Sequence, residues 1–500
     1  MIRLLGAFIA LLFIVPAPGW AGEVRSEYTL TFSKSSPRRF HVDADIPVTN
    51  NELVMAPRLL ADPLPNSWAD YIENIEATDV AGRSVQLTHL GDGRWKLARP
   101  LKRIRLNYDV ALKHDEVKWT ISGLYARGHS VDDAMFFFGH LAFITGAPEF
   151  KLPAHIRYKV PAGWQAVTAL PEVKGKKNVY EAKDWDGLIL TGSMVGHLST
   201  RTIEAGPLKL VLTAPSTLKS SVKLMGDAIA PILTGYARDL GGAPPGKFGV
   251  FVSVTPFPSG GETTHNTINM IFKEAPDVST KSKWAYVIAH EVFHLWNGVA
   301  IGSQNGEDSY WFSEGFSVYA AMLGQYRSCL NSEEEFFKEI ADGYDRYVKG
   351  FQKSAGKESA REAGLNKQSN INLIYYGGMA AAVALDIEGR SRSADGSGGF
   401  IKLMRGAHEE FGKTGKKYTH EDLIRLANLA TGTDMTSFFA RYIDGTEMIP
   451  FADYLKKAGL MISTTDGKSV ITRDPNASAA QRAIFPPRSI WPGAAQGEQS

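Results

Sequence analysis

The stretch His290-Glu291-Val292-Phe293-His294-Leu295-Trp296-Asn297 decides how the chain is read. Two histidines four residues apart stand one above the other on one face of a helix, so both imidazoles can reach a single metal ion. Glu291 follows the first of them, beside the coordination place such an ion leaves open, where a carboxylate can take a proton from a water. The surroundings favour a helix from about Ser279 to Asn297. Ala285, Ile288, Val292, Leu295 and Val299 recur at three- and four-residue spacing, and Gly298 suits a C-terminal stop. Tyr286, Val287, Phe293 and Trp296 make that helix apolar nearly all round. Ionisable groups inside it are costly unless they are paired or bound to metal.

Downstream, Trp311-Phe312-Ser313-Glu314-Gly315-Phe316-Ser317-Val318-Tyr319 reads as an apolar helix start with one carboxylate inside it. Packed against the first helix, it would bring Glu314 to the two histidines. The result is a zinc site of two histidines and a glutamate, with the fourth place left to water and Glu291 as general base. One turn after Glu314 stands Val318, which cannot orient a histidine. Asn297 is a candidate for that task, or equally the residue that ends the helix.

At 500 residues the chain is too long for one ordinary core. From Glu23 to Ser199 it alternates with period two, as in Tyr28–Phe32, Ile104–Val110 and Ile156–Val160, with Gly, Pro, Asn and Asp between the runs. This predicts a β-sandwich-like N-terminal domain over residues 22–200. The histidines of that half are scattered and form no cluster that suggests chemistry. From Arg201, strand patterns at Leu208–Leu212, Phe248–Val254 and Thr267–Phe272 enclose a helix at Leu218–Leu240, an α/β unit running to residue 323. Helical patterns dominate residues 324–460. Residues 461–500, rich in Pro, Ala, Gly and Gln after Pro475, are expected to be a flexible tail. The fold class is therefore multidomain α+β.

The apolar run Leu4–Val15, with Arg3 before it and Gly19-Trp20-Ala21 after it, reads as a secretory signal cleaved near Ala21. It is too short for the roughly 20 residues of a membrane span. The expected location is periplasmic or secreted, with no membrane partner after cleavage. Lys plus Arg number 55 against 53 for Asp plus Glu, a balance that argues against a nucleic-acid partner. Cys329 is the only cysteine, so no intrachain disulfide can form, and the exported chain must rest on its cores or on metal.

The zinc motif with a downstream glutamate resembles the gluzincin peptidases. The strings His290–Asn297 and Trp311–Phe316 resemble the M61 glycyl aminopeptidase family, as do Tyr375–Asp386 and Thr431–Thr446. The resemblance implies a thermolysin-like catalytic domain and aminopeptidase action on a peptide substrate. It also implies a tyrosine hydroxyl that stabilises the oxyanion, at Tyr375 or the adjacent Tyr376. The family's edge strand Gly-Gly-Leu-Glu-His, which lines the cleft and holds the substrate amine, is matched by Gly260-Gly261-Glu262-Thr263-Thr264-His265. Its carboxylate here is Glu262, one place early, and His265 is a weaker candidate. Two further departures are a short stretch between His294 and Glu314 and Gly377 where the family's Tyr-x-Lys-Gly signature has lysine. Two rivals stay open: an endopeptidase, because the amine anchor is displaced, and an inactive peptide-binding pseudo-peptidase.

Overall fold

In the computed structural model, which describes residues 24–58, 61, 63–146, 152–485 and 491, the early alternation becomes sheets packed face to face. The expected signal segment, residues 1–21, lies outside the described residues. Six strands pair in the order Val179–Ala182, Ala154–Lys159, Ser26–Phe32, Arg39–Pro47, Arg103–Ala111, Ile72–Thr78. Along Arg39–Pro47, Phe40, Val42, Ala44 and Ile46 are buried in turn, as a period-two pattern requires of a sheet with one covered face. The cover is a four-stranded sheet that includes Ala134–Phe138 and Gly192–Gly196. Phe40 meets Phe137 across the layers at 4.5 Å between ring centroids, and the Tyr158 hydroxyl lies 2.7 Å from Ser193 Oγ.

The second half is built on a five-stranded sheet in the order Leu198–Ala205, Leu208–Pro215, Gly246–Val254, Thr267–Phe272, Gly260–Thr264. Gly260–Thr264 is an antiparallel edge strand, with Glu262 opposite Asn269. Alternation along Thr267–Phe272 decides what each face meets. Ile268, Met270 and Phe272 join the core made with the helices Lys219–Asp239, Lys281–Phe293 and Tyr310–Arg327. On the opposite face, Asn269 Nδ2 donates to the Tyr125 carbonyl at 2.7 Å, Gly192 N donates to Thr267 Oγ1 at 2.8 Å, and Phe251 packs on Phe136. The sandwich is thus seated on the back of the five-stranded sheet. It carries residues 117–126, including the short helix Ile121–Ala126, to the side of the edge strand.

The structure differs from expectation at the domain limits. Strand Leu198–Ala205 already belongs to the second sheet, before residue 201. The helix Tyr310–Arg327 crosses the expected cut at 323, and one apolar core runs through both sides of it. Residues after Leu460 are not loose where they are described: Leu460–Thr465 and Lys468–Arg473 form a hairpin, and Ala479–Ile484 is helical. Phe485 and Trp491 are buried, Trp491 in the space that Gly235 leaves by lacking a side chain. Among the described residues no helix is long and apolar enough to cross a membrane.

The glutamate-bearing helix Tyr310–Arg327 crosses the helix Gly377–Arg392 at glycine on glycine. A Cβ on Gly315 would collide with Gly378, and one on Gly378 with the Trp311 carbonyl, so the backbones touch. This contact holds the start of Gly377–Arg392, and Tyr375 just before it, against the helix of Glu314. Gly378→Ala should cost about 1–3 kcal/mol by overpacking against backbone that cannot yield. Gly306→Ala, in open space with φ −61°, should stay within about 0.5 kcal/mol of wild type. Chemical unfolding of both variants checks this, and equal midpoints would contradict it.

Candidate active site

The helix Lys281–Phe293 is apolar beyond its first turn because most of it is buried: Trp284, Ala285, Ile288, Val292 and Phe293 are in the core, and Tyr286 and Val287 are half-buried on the cleft side. Its last turn presents His290, its C-terminal capping residue is His294, and the first turns of Tyr310–Arg327 present Glu314 to them. His290 Nε2 and His294 Nε2 are 3.1 Å apart, and Glu314 Oε2 lies 3.4 and 3.3 Å from them. Donors held at roughly 2.0–2.2 Å around a tetrahedral zinc stand about 3.3 Å apart. The triangle therefore fits one ion, and its chemistry, two imidazoles and a carboxylate, is that of a catalytic zinc site. Burial alone would raise the Glu314 carboxyl and lower the His294 imidazole. Their attraction, with Lys367 beside Glu314, instead holds Glu314 well below the usual range and lifts His294 to about 9.

The groups behind the histidines differ from those the sequence offered. Asn297 is part of the arrangement, through its backbone: its carbonyl accepts from His294 Nδ1 at 2.9 Å. Its side chain donates to the carbonyls of Phe312 and Ser313, both at 3.1 Å, and so ties the end of one helix to the start of the other. Ser317, not Val318, reaches His294, with Oγ 3.4 Å from Nδ1. The His290 ring lies near-parallel to those of Tyr286, at 6.0 Å between centroids, and Tyr375, at 6.1 Å.

Glu291 faces the edge strand. Thr263 Oγ1 donates to Glu291 Oε2 at 2.7 Å, a residue that sequence reading passed over. Gly261 has to be glycine, since a Cβ there would come within 2.8 Å of Glu291 Cγ; one on Gly260 would strike the Tyr125 hydroxyl. Glu262 lies on the other face of the strand, toward Tyr125 and the sandwich. The residue is partly buried, and its carboxylate forms no hydrogen bond or ion pair with another described residue. Burial pushes its carboxyl up to about 7, with Lys367 opposing and Glu291 and Glu314 adding to the rise. His265 also lines the cleft, in a left-handed turn at φ 51°.

Tyr375 and Tyr376 end a π-helical turn, Asn372–Tyr376, which faces them in different directions. Tyr375 stands over the metal donors with its hydroxyl toward Glu314, and burial with the nearby carboxylates raises it well above the usual phenol range. Tyr376 accepts from Arg346 Nη1 at 2.7 Å. Gly377 leaves the family's lysine position empty, but a lysine enters from elsewhere: Lys367 Nζ donates to Glu314 Oε1 at 2.6 Å. Burial alone would lower this ammonium, and Glu314 and Glu262 hold it above its ordinary value.

The metal donors, Glu291, Glu262, Thr263, Lys367 and Tyr375 line one cleft of about 1050 Å³, enough for a peptide of a few residues. The N-terminal half, which named no ligand by itself, forms one wall with Trp119, Leu124 and Tyr125.

Two family models match the chain: the Peptidase M61 N-terminal domain over residues 27–190 and M61 glycyl aminopeptidase over residues 283–378. An aminopeptidase N family protein of Idiomarina loihiensis has a similar structure, at 19% identity and a TM-score of 0.72, covering 88% of this chain and 79% of that one. The M1 zinc metallopeptidase of Deinococcus radiodurans, in a mutant form bound to a Tyr-Ser-Ala substrate, is similar at 16% identity and a TM-score of 0.53, over 86% and 95%. These likenesses are likenesses of fold.

The donor set makes a direct prediction. Freshly purified protein should carry about one zinc per chain. His294→Ala should lose it and Glu291→Gln should keep it, as read by elemental analysis. Wild type that holds no zinc and takes none up, or a Glu291→Gln variant that loses it, would contradict the assignment.

Proposed function

The chain belongs to the M61 glycyl aminopeptidase family, and from that premise we propose that this zinc metallopeptidase is an exported aminopeptidase that removes N-terminal residues, small ones among them, from short peptides. The observation that carries the reading is Glu262. It is a carboxylate in the wall of the metal cleft, raised by burial, and without a bonded cationic partner among the described residues. A carboxylate in such a place is costly by itself, and a substrate ammonium completes the pair. The unpaired side of the edge strand Gly260–Thr264 offers backbone donors and acceptors to an extended peptide beside it.

His290, His294 and Glu314 would hold the zinc, which when bound supplies a Lewis acid that acidifies water and polarises a peptide carbonyl. Glu291 takes the proton of the attacking water. The hydrogen bond from Thr263 occupies its Oε2 and leaves Oε1 to receive that proton. The Tyr375 hydroxyl donates to the carbonyl oxygen as negative charge grows on it; burial, by keeping the phenol neutral, keeps it a donor. Glu291 then passes the proton to the leaving amine. Glu262 holds the ammonium and so sets which peptide bond meets Glu291. The apolar run Leu4–Val15 supports export. An endopeptidase is the second reading, favoured by the size of the cleft.

Free and N-acetylated forms of one peptide separate the two. The wild type should cleave the free form and largely spare the blocked one. Glu262→Gln should lower kcat/KM for the free peptide by about 2–4 kcal/mol in transition-state binding and change the blocked form little. Glu291→Gln should lower kcat about 100- to 10,000-fold. Tyr375→Phe, which keeps the ring on His290, should lower it about 100- to 1000-fold. Equal cleavage of both forms by wild type would make the enzyme an endopeptidase and remove the role given to Glu262.

A further inference from the structure

The mechanism above leaves one charged group at the metal donors unused. Glu314 has two oxygens: Oε2 completes the donor triangle, and Oε1 receives Lys367 Nζ at 2.6 Å. We propose that Lys367 is a positioning residue that restricts Glu314 to one-oxygen metal ligation and so keeps a coordination place open for water and substrate. The inference rests on the reading of His290, His294 and Glu314 as the zinc ligands.

The geometry carries it in three ways. First, a carboxylate can ligate a cation through one oxygen or both. A hydrogen bond from an ammonium takes up Oε1, and its positive charge resists a second cation approaching that atom. Second, Lys367 is itself held. Its Nζ lies over the ring of Tyr310 at 4.4 Å and that of Tyr375 at 5.6 Å. The segment that bears it, Glu362–Ser369, is tied on both sides: Gln368 Nε2 donates to Ser122 Oγ at 3.2 Å in the sandwich half, and Lys353 Nζ to the Ser369 carbonyl at 2.6 Å. Third, the ion pair stands in the wall of the cleft beside Glu262 and Tyr375, so its loss would be felt where substrate binds. An ion pair with only a structural duty would not need this place.

Cobalt(II) exchanged for zinc tests the proposal, because its visible bands weaken as coordination rises from four to five or six. Lys367→Met should weaken the bands relative to wild type. It should also lower kcat of the zinc enzyme about 10- to 100-fold with KM little changed, the usual effect of removing a partner of a metal ligand. Lys367→Arg, which can still donate to Oε1, should restore both. A wild-type cobalt spectrum and kcat in Lys367→Met would overturn this inference and leave the zinc assignment standing. Failure of wild type to bind cobalt or zinc at all would overturn both. If Lys367→Met does not fold, Lys367→Gln against Lys367→Arg makes the same comparison, and identical spectra in those two would overturn it equally.

Discussion

Everything in the site depends on the packing of two buried helices against each other. Lys281–Phe293 contributes one imidazole from its last turn and a second from its capping residue His294, Tyr310–Arg327 contributes one carboxylate from its first turns, and the three donor atoms end 3.1–3.4 Å apart. Such a cluster is unfavourable in an apolar interior without the ion it fits. What holds it together is the frame. Trp284, Phe293, Trp296, Trp311, Phe312 and Phe316 are almost wholly buried around it, each contributing on the order of 1.5–3 kcal/mol of burial. Asn297 adds the specific link, with its carbonyl on His294 and its side-chain amide on the other helix. A site made from rigid helices keeps its spacing; one made from loops would not.

The second sheet and the sandwich serve that frame from opposite sides. The face of Thr267–Phe272 that carries Ile268 and Met270 supports the helices, while the face with Asn269 receives the N-terminal half. The edge strand Gly260–Thr264 therefore lies where both halves meet. On its helix side Thr263 binds Glu291, and on its sandwich side Glu262 turns toward Tyr125. Two glycines let this strand come so close, Gly261 against Glu291 and Gly260 against Tyr125. The reacting group and the proposed amine anchor are thus set by one strand, with a separation fixed by its alternation.

The parts of the site legible in the sequence are those whose geometry is local. His290 and His294 can be read as a pair because helix spacing alone brings them together, and Glu314 stands out as the one carboxylate in an apolar helix start. The sandwich was legible because its strands alternate cleanly. Thr263, Ser317 and Lys367 were not, because each reaches the site by tertiary packing. A threonine in a strand or a lysine in a turn carries no local mark of its partner. Val318 drew notice by turn counting, yet Ser317, one residue earlier and so about 100° around the helix, faces His294. The cut at residue 323 failed because a helix buried on every side belongs to the cores on both sides of it. Composition carries no mark of the packing near the end of the chain, where Trp491 fills the gap at Gly235.

The proposed zinc centre has His290, His294 and Glu314 as ligands and leaves Glu291 outside the coordination sphere. An anomalous-difference map at the zinc absorption edge, from crystals of this chain grown with zinc, tests it most directly. The predicted result is a single peak about 2.0–2.2 Å from both Nε2 atoms and one Glu314 oxygen, with Glu291 out of bonding range. A map with no peak there, or one in which Glu291 ligates the ion and Glu314 does not, would contradict the account.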